Sequence, residues 1–289
     1  MEVEAGTSLV VVLALMFFGS LLASALPFMF QIRGNSMKVV AGLGGGLLLG
    51  TALSIVIPEG FHSMAEVAEE HGHAGHGHGA DDWSGAILVL GFLGMMALDR
   101  SQPGHGHGCG GHAHEARPRG RPGGREGPPS PTRKPGAVDP AVLGLLVHCA
   151  ADGLALGAAA LSGNTQLSLI VSVAMLAHKA PMAFGLSTYL IGRGAAWREA
   201  RGSLLAFAGA APASATLTYA LLSLLPGGAS SPTLVARSLL ASGGTFLYAA
   251  TMHILPEVLA GAGPGTVAAT AGGALLPALL ASLGLGHAH

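Results

Sequence analysis

The sequence predicts an all-α polytopic membrane protein with eight transmembrane helices. Half of its 289 residues are hydrophobic and only 10% are Asp, Glu, Lys or Arg, whereas a typical soluble domain carries about 25% of those charged residues. So few charges do not cover a surface that faces water. The 46 glycines and the scarcity of aromatic residues are typical of helices that pack closely in lipid. The composition therefore places the chain in a membrane.

A helix that crosses the hydrocarbon core of a bilayer needs about 20 apolar residues, and eight such stretches follow one another along the chain. The predicted spans are Ser8–Phe30, Val39–Phe61, Ser84–Leu98, Val138–Leu161, Gln166–Ile191, Leu204–Leu225, Leu234–Leu259 and Thr266–Leu285. A signal peptide is an alternative for the first span, since Ala23-Ser24-Ala25 resembles a cleavage site. Its N-terminal region is acidic, however, and the apolar run continues to Phe30, so a transmembrane helix is preferred.

Basic residues concentrate on one side of the predicted topology. Twelve of the 14 Lys and Arg residues lie in the loops that follow the first, third and fifth spans, namely Arg33, Lys38, Arg100, Arg117, Arg119, Arg121, Arg125, Arg133, Lys134, Arg193, Arg198 and Arg201. The loops on the other side are acidic. Because loops rich in Lys and Arg stay in the cytosol, the pattern predicts that both termini are extracellular or lumenal.

The same topology divides the chain into three regions. Residues 1–100 contain the first three helices and an outer His-rich loop, residues 101–137 form a cytoplasmic loop rich in Gly, Pro, Arg and His, and residues 138–289 contain helices four to eight. The central loop has too few large apolar residues to fold alone and is predicted to be disordered. The loop histidines are His71, His73, His76 and His78 outside and His105, His107, His112 and His114 inside. Their alternation with glycine favours weak zinc capture, and solubilising low-complexity sequence is the alternative.

Polar residues inside the fourth and fifth spans predict a metal site. His148 and Asp152 are four residues apart, so their side chains share one face of a helix. His178 lies midway along the next span, beside Lys179 and before Pro181, which we expect to kink or break that helix. Ionisable groups at membrane depth are costly and usually line a polar pathway, and imidazole and carboxylate are good zinc ligands. We therefore expect His148, Asp152 and His178 to bind a divalent metal; a structural hydrogen bond or a proton relay is the alternative.

A short repeat relates the second and seventh spans. In each span a Gly-Thr pair is followed, several residues later, by three consecutive residues: an apolar residue, Pro and Glu. The glutamates of the two repeats are Glu59 and Glu257. In the predicted topology these two spans cross the membrane in opposite directions. An inverted repeat of helices 1–3 and 6–8 around helices 4–5 requires this arrangement. Glu59 with His62, and Glu257 with His253, are predicted as secondary metal ligands at the two ends of a pathway; interfacial carboxylates are the alternative.

These motifs resemble the ZIP family of zinc and iron importers (solute carrier 39) over essentially the whole chain. The resemblance is carried by His148-Cys-Ala-Ala-Asp152-Gly153, His178-Lys-Ala-Pro181, Gly244-Thr-Phe-Leu-Tyr248 and His253-Ile-Leu-Pro256-Glu257. In detail the motifs are similar to those of the Golgi and plasma-membrane branch that contains the ninth human member. The family implies eight helices, both termini outside the cytosol, a His-rich loop between helices three and four, and transport toward the cytosol.

The chain departs from the family pattern next to the predicted ligands. Many members have His-Asn in helix four and His-Glu-x-Pro-His in helix five, and these residues build a two-metal centre. Here Cys149 occupies the Asn position, Lys179 the Glu position and Met182 the last His position, and the sixth span has no carboxylate. Because an ammonium group repels a second dication, we expect a single-ion site. In this hypothesis Lys179 replaces the charge of the second ion and pairs with Asp152 when the site is empty.

The sequence therefore predicts a transporter that moves zinc, or a related divalent cation, from outside or an organelle lumen into the cytosol. Zinc is the substrate, no cofactor is expected, and the protein is not an enzyme.

A cation-diffusion zinc exporter also uses HxxxD helices, but that family has six spans and cytosolic termini. A membrane receptor or a metallohydrolase with a bound metal is a further alternative, although the chain has no HExxH motif. The expected partners are the lipid bilayer and, as one alternative, a second copy of the chain, but no nucleic acid; the expected location is the Golgi or plasma membrane.

Overall fold

The computed structural model describes residues 2–29, 35–70, 82–101, 139–162, 164–224, 231–280 and 282. All regular structure in these ranges is helical. The α-helices are α1 (Glu2–Met29), α2 (Asn35–Thr51), α3 (Ile57–Glu70), α4 (Asp82–Arg100), α5 (Pro140–Ala160), α6 (Thr165–Gly192), α7 (Trp197–Ser223), α8 (Pro232–Tyr248), α9 (Leu255–Leu259) and α10 (Pro264–Leu280). Two π-helical segments, π1 (Ala52–Val56) and π2 (Ala249–Ile254), join α2 to α3 and α8 to α9 without a break. The central loop beyond Ser101 and both His-rich tracts lie outside the described residues.

Six helical stretches of the described chain are long and apolar enough to cross a membrane. They are Leu9–Met29, Ser36–Val67, Trp83–Arg100, Pro140–Ala160, Thr165–Gly192 and Trp197–Ser223. The continuous segment α8–π2–α9 and the shorter apolar helix α10 coincide with the predicted seventh and eighth spans. Helices α1, α4 and α7 turn large apolar side chains such as Phe18, Leu90 and Leu217 outward, as expected for surfaces that face lipid. The prediction of an all-α polytopic membrane protein is therefore confirmed.

Two local expectations need correction. The third span, expected at Ser84–Leu98, extends over Asp82–Arg100, because the helix continues into polar residues at both of its ends. Helix α6 runs from Thr165 to Gly192 through Pro181, so this helix is not broken there. The proline removes one backbone donor, and the helix continues on both sides of it. The irregular turns of the described chain lie instead in π1 and π2.

Side-chain caps fix the starts of the two helices that carry the predicted metal ligands. Asp139 accepts a hydrogen bond from the Ala141 amide at 3.0 Å, and Pro140 follows it as the first residue of α5. Asn164 accepts one from the Leu167 amide at 3.0 Å at the start of α6. Each cap satisfies an amide that the first helical turn leaves unpaired. The connection between α5 and α6 is short, and the two helices pack as antiparallel neighbours.

The helices pack as two groups of four rods. Helices α1, α5, α6 and α7 pack against one another, and the rods α2–α3, α4, α8–α9 and α10 form the second group. The main contacts between the groups are those of α5 with α8 and of α2 with α6. The predicted metal ligands lie on α5 and α6, so they belong to the first group and stand next to its interface with α8.

Glycines allow the closest helix contacts within the second group. A Cβ atom at Gly50 of α2 would lie 2.2 Å from the carbonyl oxygen of Ala274 in α10. A Cβ atom at Gly244 of α8 would lie 2.1 Å from the carbonyl oxygen of Leu88 in α4. Both distances are far below van der Waals contact. At these two positions only glycine lets the neighbouring backbones meet.

We expect Gly50→Ala and Gly244→Ala each to lower the midpoint temperature of thermal unfolding in detergent. The added methyl group forces the helices apart, at a cost of about 1–3 kcal/mol. Gly94→Ala in α4 and Gly272→Ala in α10 are matched controls, since a Cβ atom at either position meets nothing within 4 Å. Their midpoints should equal or exceed that of the wild type, because alanine favours the helix. Equal midpoints for all four variants would contradict the close packing.

Candidate metal centre

One turn of α5 carries two of the predicted metal ligands. His148 and Asp152 are both fully buried. The Nε2 atom of His148 lies 3.2 Å from Oδ2 of Asp152. The structure thus places both side chains on the same face of the helix, as their spacing predicts.

The antiparallel neighbour α6 supplies the third residue. His178 is only 3% exposed, and its Nε2 atom lies 3.2 Å from the same Oδ2 atom of Asp152. The ligand atoms of the three side chains all lie within 4.8 Å of one another. Nδ1 of His178 and Nε2 of His148 are buried without a hydrogen-bond partner. Unsatisfied buried nitrogens beside a carboxylate are costly unless a further group binds there.

A third helix, α8, supports the cluster from the other group of helices. The Oγ atom of Ser242 lies 2.6 Å from Nδ1 of His148 and donates to Oδ1 of Asp152 at 2.5 Å. The ring of Phe246 stacks on the ring of His148, with centroids 4.5 Å apart. Phe246 lies in the Gly244–Tyr248 motif but was given no role from the sequence, and Ser242 was missed, because a serine within an apolar span carries no signal of the helix that it faces.

Lys179 is buried near the cluster but does not pair with Asp152. Its Nζ atom donates to Sγ of Cys149 at 2.8 Å and lies 4.5 Å from the ring centroid of Phe207. The expectation that Lys179 pairs with Asp152 in the empty site is therefore wrong. The side of α5 that Lys179 reaches carries Cys149, and a thiol and an aromatic face stabilise the ammonium group there instead of a carboxylate.

The four secondary residues lie outside this three-residue cluster. At one end of the bundle, His62 is exposed on α3 and its Nε2 atom lies 3.5 Å from Oε1 of Glu66. Glu59 is half-buried on the same helix. The contact of His62 with Glu66, one turn further along the helix, leaves the pairing of Glu59 and His62 as pathway residues a prediction.

His253 and Glu257 each contact a charged side chain from elsewhere in the chain. The Nε2 atom of His253 in π2 lies 3.5 Å from Oδ2 of Asp99 at the end of α4, and Tyr248 donates to the same oxygen at 3.0 Å. Glu257 of α9 forms an ion pair with Arg193 at 2.9 Å. The joint role of His253 and Glu257 at one end of the pathway stays a prediction.

The ion pair of Glu257 belongs to a network that joins the two groups of helices. Nη1 of Arg193, just after α6, also lies 3.3 Å from Oδ2 of Asp139 at the start of α5. It donates to the hydroxyl of Tyr189 at 2.9 Å, and that hydroxyl contacts Asp139 at 3.3 Å and Glu257 at 3.4 Å. Sequence reasoning counted Arg193 as a loop charge and missed this network, because its members are distant in the chain.

The buried cluster offers two imidazole nitrogens and one carboxylate oxygen. These are the donors that bind Zn²⁺ in tetrahedral sites, and three protein ligands leave one coordination position open for exchange. Other first-row divalent metals bind the same donors with different affinities. The chemistry of the cluster therefore suits a divalent metal ion that binds and leaves.

A His–Asp–His cluster buried within a polytopic helical bundle is compatible with an integral membrane protein that transports a divalent metal. The profile of one family, described as ZIP zinc transporter, matches residues 6–140 and 138–281, and the chain belongs to this family. It is a zinc transporter rather than an enzyme, and zinc is its transported substrate. Family membership excludes the exporter and metallohydrolase alternatives.

Individual relatives support the ZIP9 branch of the family. The chain is 37% identical over 286 residues to zinc transporter ZIP9 of Micropogonias undulatus, an alignment that covers 89% of this chain and 86% of that protein. It is 36% identical over 275 residues to zinc transporter ZIP9-B of Xenopus laevis, with 87% and 85% covered. Its identity to zinc transporter SLC39A7 of Rattus norvegicus is 28% over 317 residues, with 85% and 66% covered.

Proposed function

We propose that this chain moves Zn²⁺ from the extracellular space or an organelle lumen into the cytosol through a site formed by His148, Asp152 and His178. The convergence of their ligand atoms within 4.8 Å, inside apolar helices, carries the proposal. Two neutral imidazoles and one carboxylate offset only half of the charge of the ion. The buried site therefore binds the dication without fully neutralising it, which favours release as well as binding.

We propose that one ion binds per chain. The Nζ atom of Lys179 contacts Cys149, and by the resemblance to the family these are positions at which many members have the Asn and Glu of a two-metal centre. The ammonium group is only 2% exposed, so little water screens its repulsion of a dication. Lys179 thus takes the place of a second ion.

We also propose eight transmembrane helices, with helices 1–3 and 6–8 forming an inverted repeat around helices 4–5. The rod α2–α3 packs on α10 and α6, and its counterpart α8–α9 packs on α4 and α5. Gly50 and Gly244 provide the close approach in the contacts with α10 and α4. Each rod also has a π-helical segment just before its Pro-Glu pair, which begins at Pro58 or Pro256. This matched packing supports the repeat.

The orientation that we propose puts both termini outside the cytosol. It rests on the basic loops after the first, third and fifth spans. In this orientation the network around Arg193 lies at the cytosolic end of the bundle. A location in the Golgi or plasma membrane follows from the resemblance to that branch of the family, and a homodimer stays a prediction.

The secondary residues are proposed to line the two ends of the pathway. Toward the outer end, Glu59 and His62 lie on α3, and a cavity of about 200 Å³ opens between Glu66 and the starts of α6 and α8. Toward the inner end, the ion pair of Glu257 with Arg193 spans the two groups of helices. The cavity is lined by the Glu66 carboxylate, which lies 3.5 Å from His62, and the Glu257–Arg193 ion pair links the two groups of helices at the other end.

Uptake by proteoliposomes tests the proposed function. Purified protein is reconstituted into liposomes that contain a zinc-sensitive dye, and zinc is added outside. We expect an initial rate that depends on the protein and saturates with zinc, because each ion passes through one buried site. Protein-free liposomes are the control. A folded, monodisperse protein that gives no rate above this control would contradict zinc transport.

A further inference from the structure

We infer that Ser242 is a positioning residue of the zinc site, which sets the proton position of His148 and the orientation of the Asp152 carboxylate. The inference rests on the proposed function, because it concerns the same site. In the described part of the chain, every hydrogen bond that reaches the side chains of His148, Asp152 and His178 from outside α5 and α6 comes from Ser242.

The contacts with Ser242 determine which nitrogen of neutral His148 carries the proton. Nδ1 of His148 lies 3.1 Å from the backbone carbonyl oxygen of Ser242, which can only accept. The same Nδ1 atom lies 2.6 Å from the Ser242 hydroxyl oxygen. That hydroxyl has one proton, and its 2.5 Å contact with Oδ1 of Asp152 uses it, since a carboxylate can only accept. The hydroxyl therefore accepts from His148, and the imidazole proton is on Nδ1.

This hydrogen-bond pattern leaves Nε2 of His148 without a proton. Nε2 lies 3.2 Å from Oδ2 of Asp152, so a nitrogen lone pair and a carboxylate oxygen face the same space. Two acceptors at this distance repel each other unless a cation binds both. Ser242 thus holds Nε2 of His148 and Oδ2 of Asp152, two atoms that can bind a metal ion, next to each other.

Ser242 also gives the two carboxylate oxygens of Asp152 separate roles. Oδ1 accepts from Ser242, while Oδ2 lies 3.2 Å from Nε2 of both His148 and His178. The bond to Oδ1 restricts rotation of the carboxylate, so Oδ2 stays between the two rings. Partners of this kind orient metal ligands and raise affinity. Because Ser242 belongs to α8, the restraint crosses from one group of helices to the other.

Other buried serines of the bundle bond differently. Ser238, one turn earlier on α8, donates to the carbonyl of Leu234, and Ser187 on α6 donates to the carbonyl of Phe184. Such bonds to the preceding turn are the usual behaviour of a serine within a helix. The Ser242 hydroxyl lies 3.3 Å from the backbone carbonyl oxygen of His148, but its shorter contacts are with two side chains of α5, so helix packing alone does not account for them.

Zinc binding to purified Ser242→Ala tests the inference. We expect the dissociation constant for zinc to rise about 10- to 100-fold, the usual effect of losing a hydrogen-bonding partner of a metal ligand. The apparent KM for uptake should rise in parallel with little change in the maximal rate. The midpoint of thermal unfolding without zinc should fall modestly, because the buried Oδ1 of Asp152 loses its donor, so zinc binding is measured on the folded, monodisperse protein.

Two further variants control this measurement. Ser242→Thr keeps the hydroxyl group and should retain most of the zinc affinity. Ser238→Ala removes a buried hydroxyl from the same helix, one turn away, and should bind zinc as the wild type does. An equal loss of affinity in Ser238→Ala would overturn the inference, because any lost hydroxyl of α8 would then have the same effect.

His148→Ala separates failure of the inference from failure of the proposed function. If His148→Ala loses zinc binding while Ser242→Ala binds as tightly as the wild type, the inference is overturned and the proposed site stands. If the folded wild-type protein shows no saturable zinc binding, both are overturned.

Discussion

Asp152→Asn is expected to reduce the initial rate of zinc uptake by proteoliposomes about 100-fold or more at sub-saturating zinc, because it removes a direct metal ligand. Asparagine has nearly the shape of aspartate, so the packing of α5 is retained. The substitution removes the negative charge of the site. It also puts an amide NH₂ group 3.2 Å from the imidazole nitrogens of His148 and His178, if it takes the place of Oδ2. The amide then donates to both nitrogens, which are no longer available to the ion.

Two companion variants define what a loss of uptake means. His148→Ala removes another ligand and should give a similar loss. Glu199→Gln makes the same chemical change as Asp152→Asn at an exposed position of α7, where the side chain accepts from the Ala196 amide at 3.1 Å. Its uptake should match the wild type. Wild-type rates for both Asp152→Asn and His148→Ala would show that the α5 pair is structural and that the ion passes elsewhere.

The number of bound zinc ions is expected to change from one to two when Lys179 is replaced by glutamate. In the wild type the Lys179 ammonium lies 2.8 Å from Sγ of Cys149 and repels a second dication. Lys179→Glu places a carboxylate where many family members have one, beside a thiol that can also bind zinc. Metal analysis of purified protein, normalised to the protein concentration, measures the ratio directly.

Lys179→Met is the matched variant for this experiment. It removes the charge and keeps a long apolar side chain, but it adds no metal ligand, so it should bind one zinc ion. Two tightly bound ions in the wild type would contradict the single-ion site. A single ion in Lys179→Glu would show that the charge of Lys179 is not what excludes the second ion.

Features that depend on residues near one another in the chain were predictable from the sequence. Each of the eight predicted apolar spans overlaps a described helix or continuous helical segment, although the bounds differ, because length and apolarity are local properties. The spacing of His148 and Asp152 places them on one face, since helix geometry alone decides this. The short connection after α5 brings His178 of the antiparallel α6 to the same carboxylate. Local motifs were also sufficient to recognise the family that the profile match confirms.

Helix α6 continues through Pro181, where the sequence predicted a kink or a break in the helix. A proline inside a helix removes a backbone donor and commonly bends or ends the helix, yet α6 continues to Gly192. Helix α6 packs against α1 and α2, and these contacts stabilise it. The irregular segments π1 and π2 instead lie just before Pro58 and Pro256, each of which lacks the N–H that would bond a carbonyl inside the π segment.

Contacts between helices that are distant in the chain were decided only by the tertiary structure. They include the bonds of Ser242 to the metal-ligand pair, the contact of Lys179 with Cys149, and the ion pair of Arg193 with Glu257. In a soluble helix the apolar face shows which side meets the protein. In a membrane helix the lipid-facing and protein-facing sides are both apolar, so hydropathy does not reveal the rotation or depth of one helix against another. Close backbone contacts, such as those at Gly50 and Gly244, set that rotation and depth and so determine which polar side chains meet.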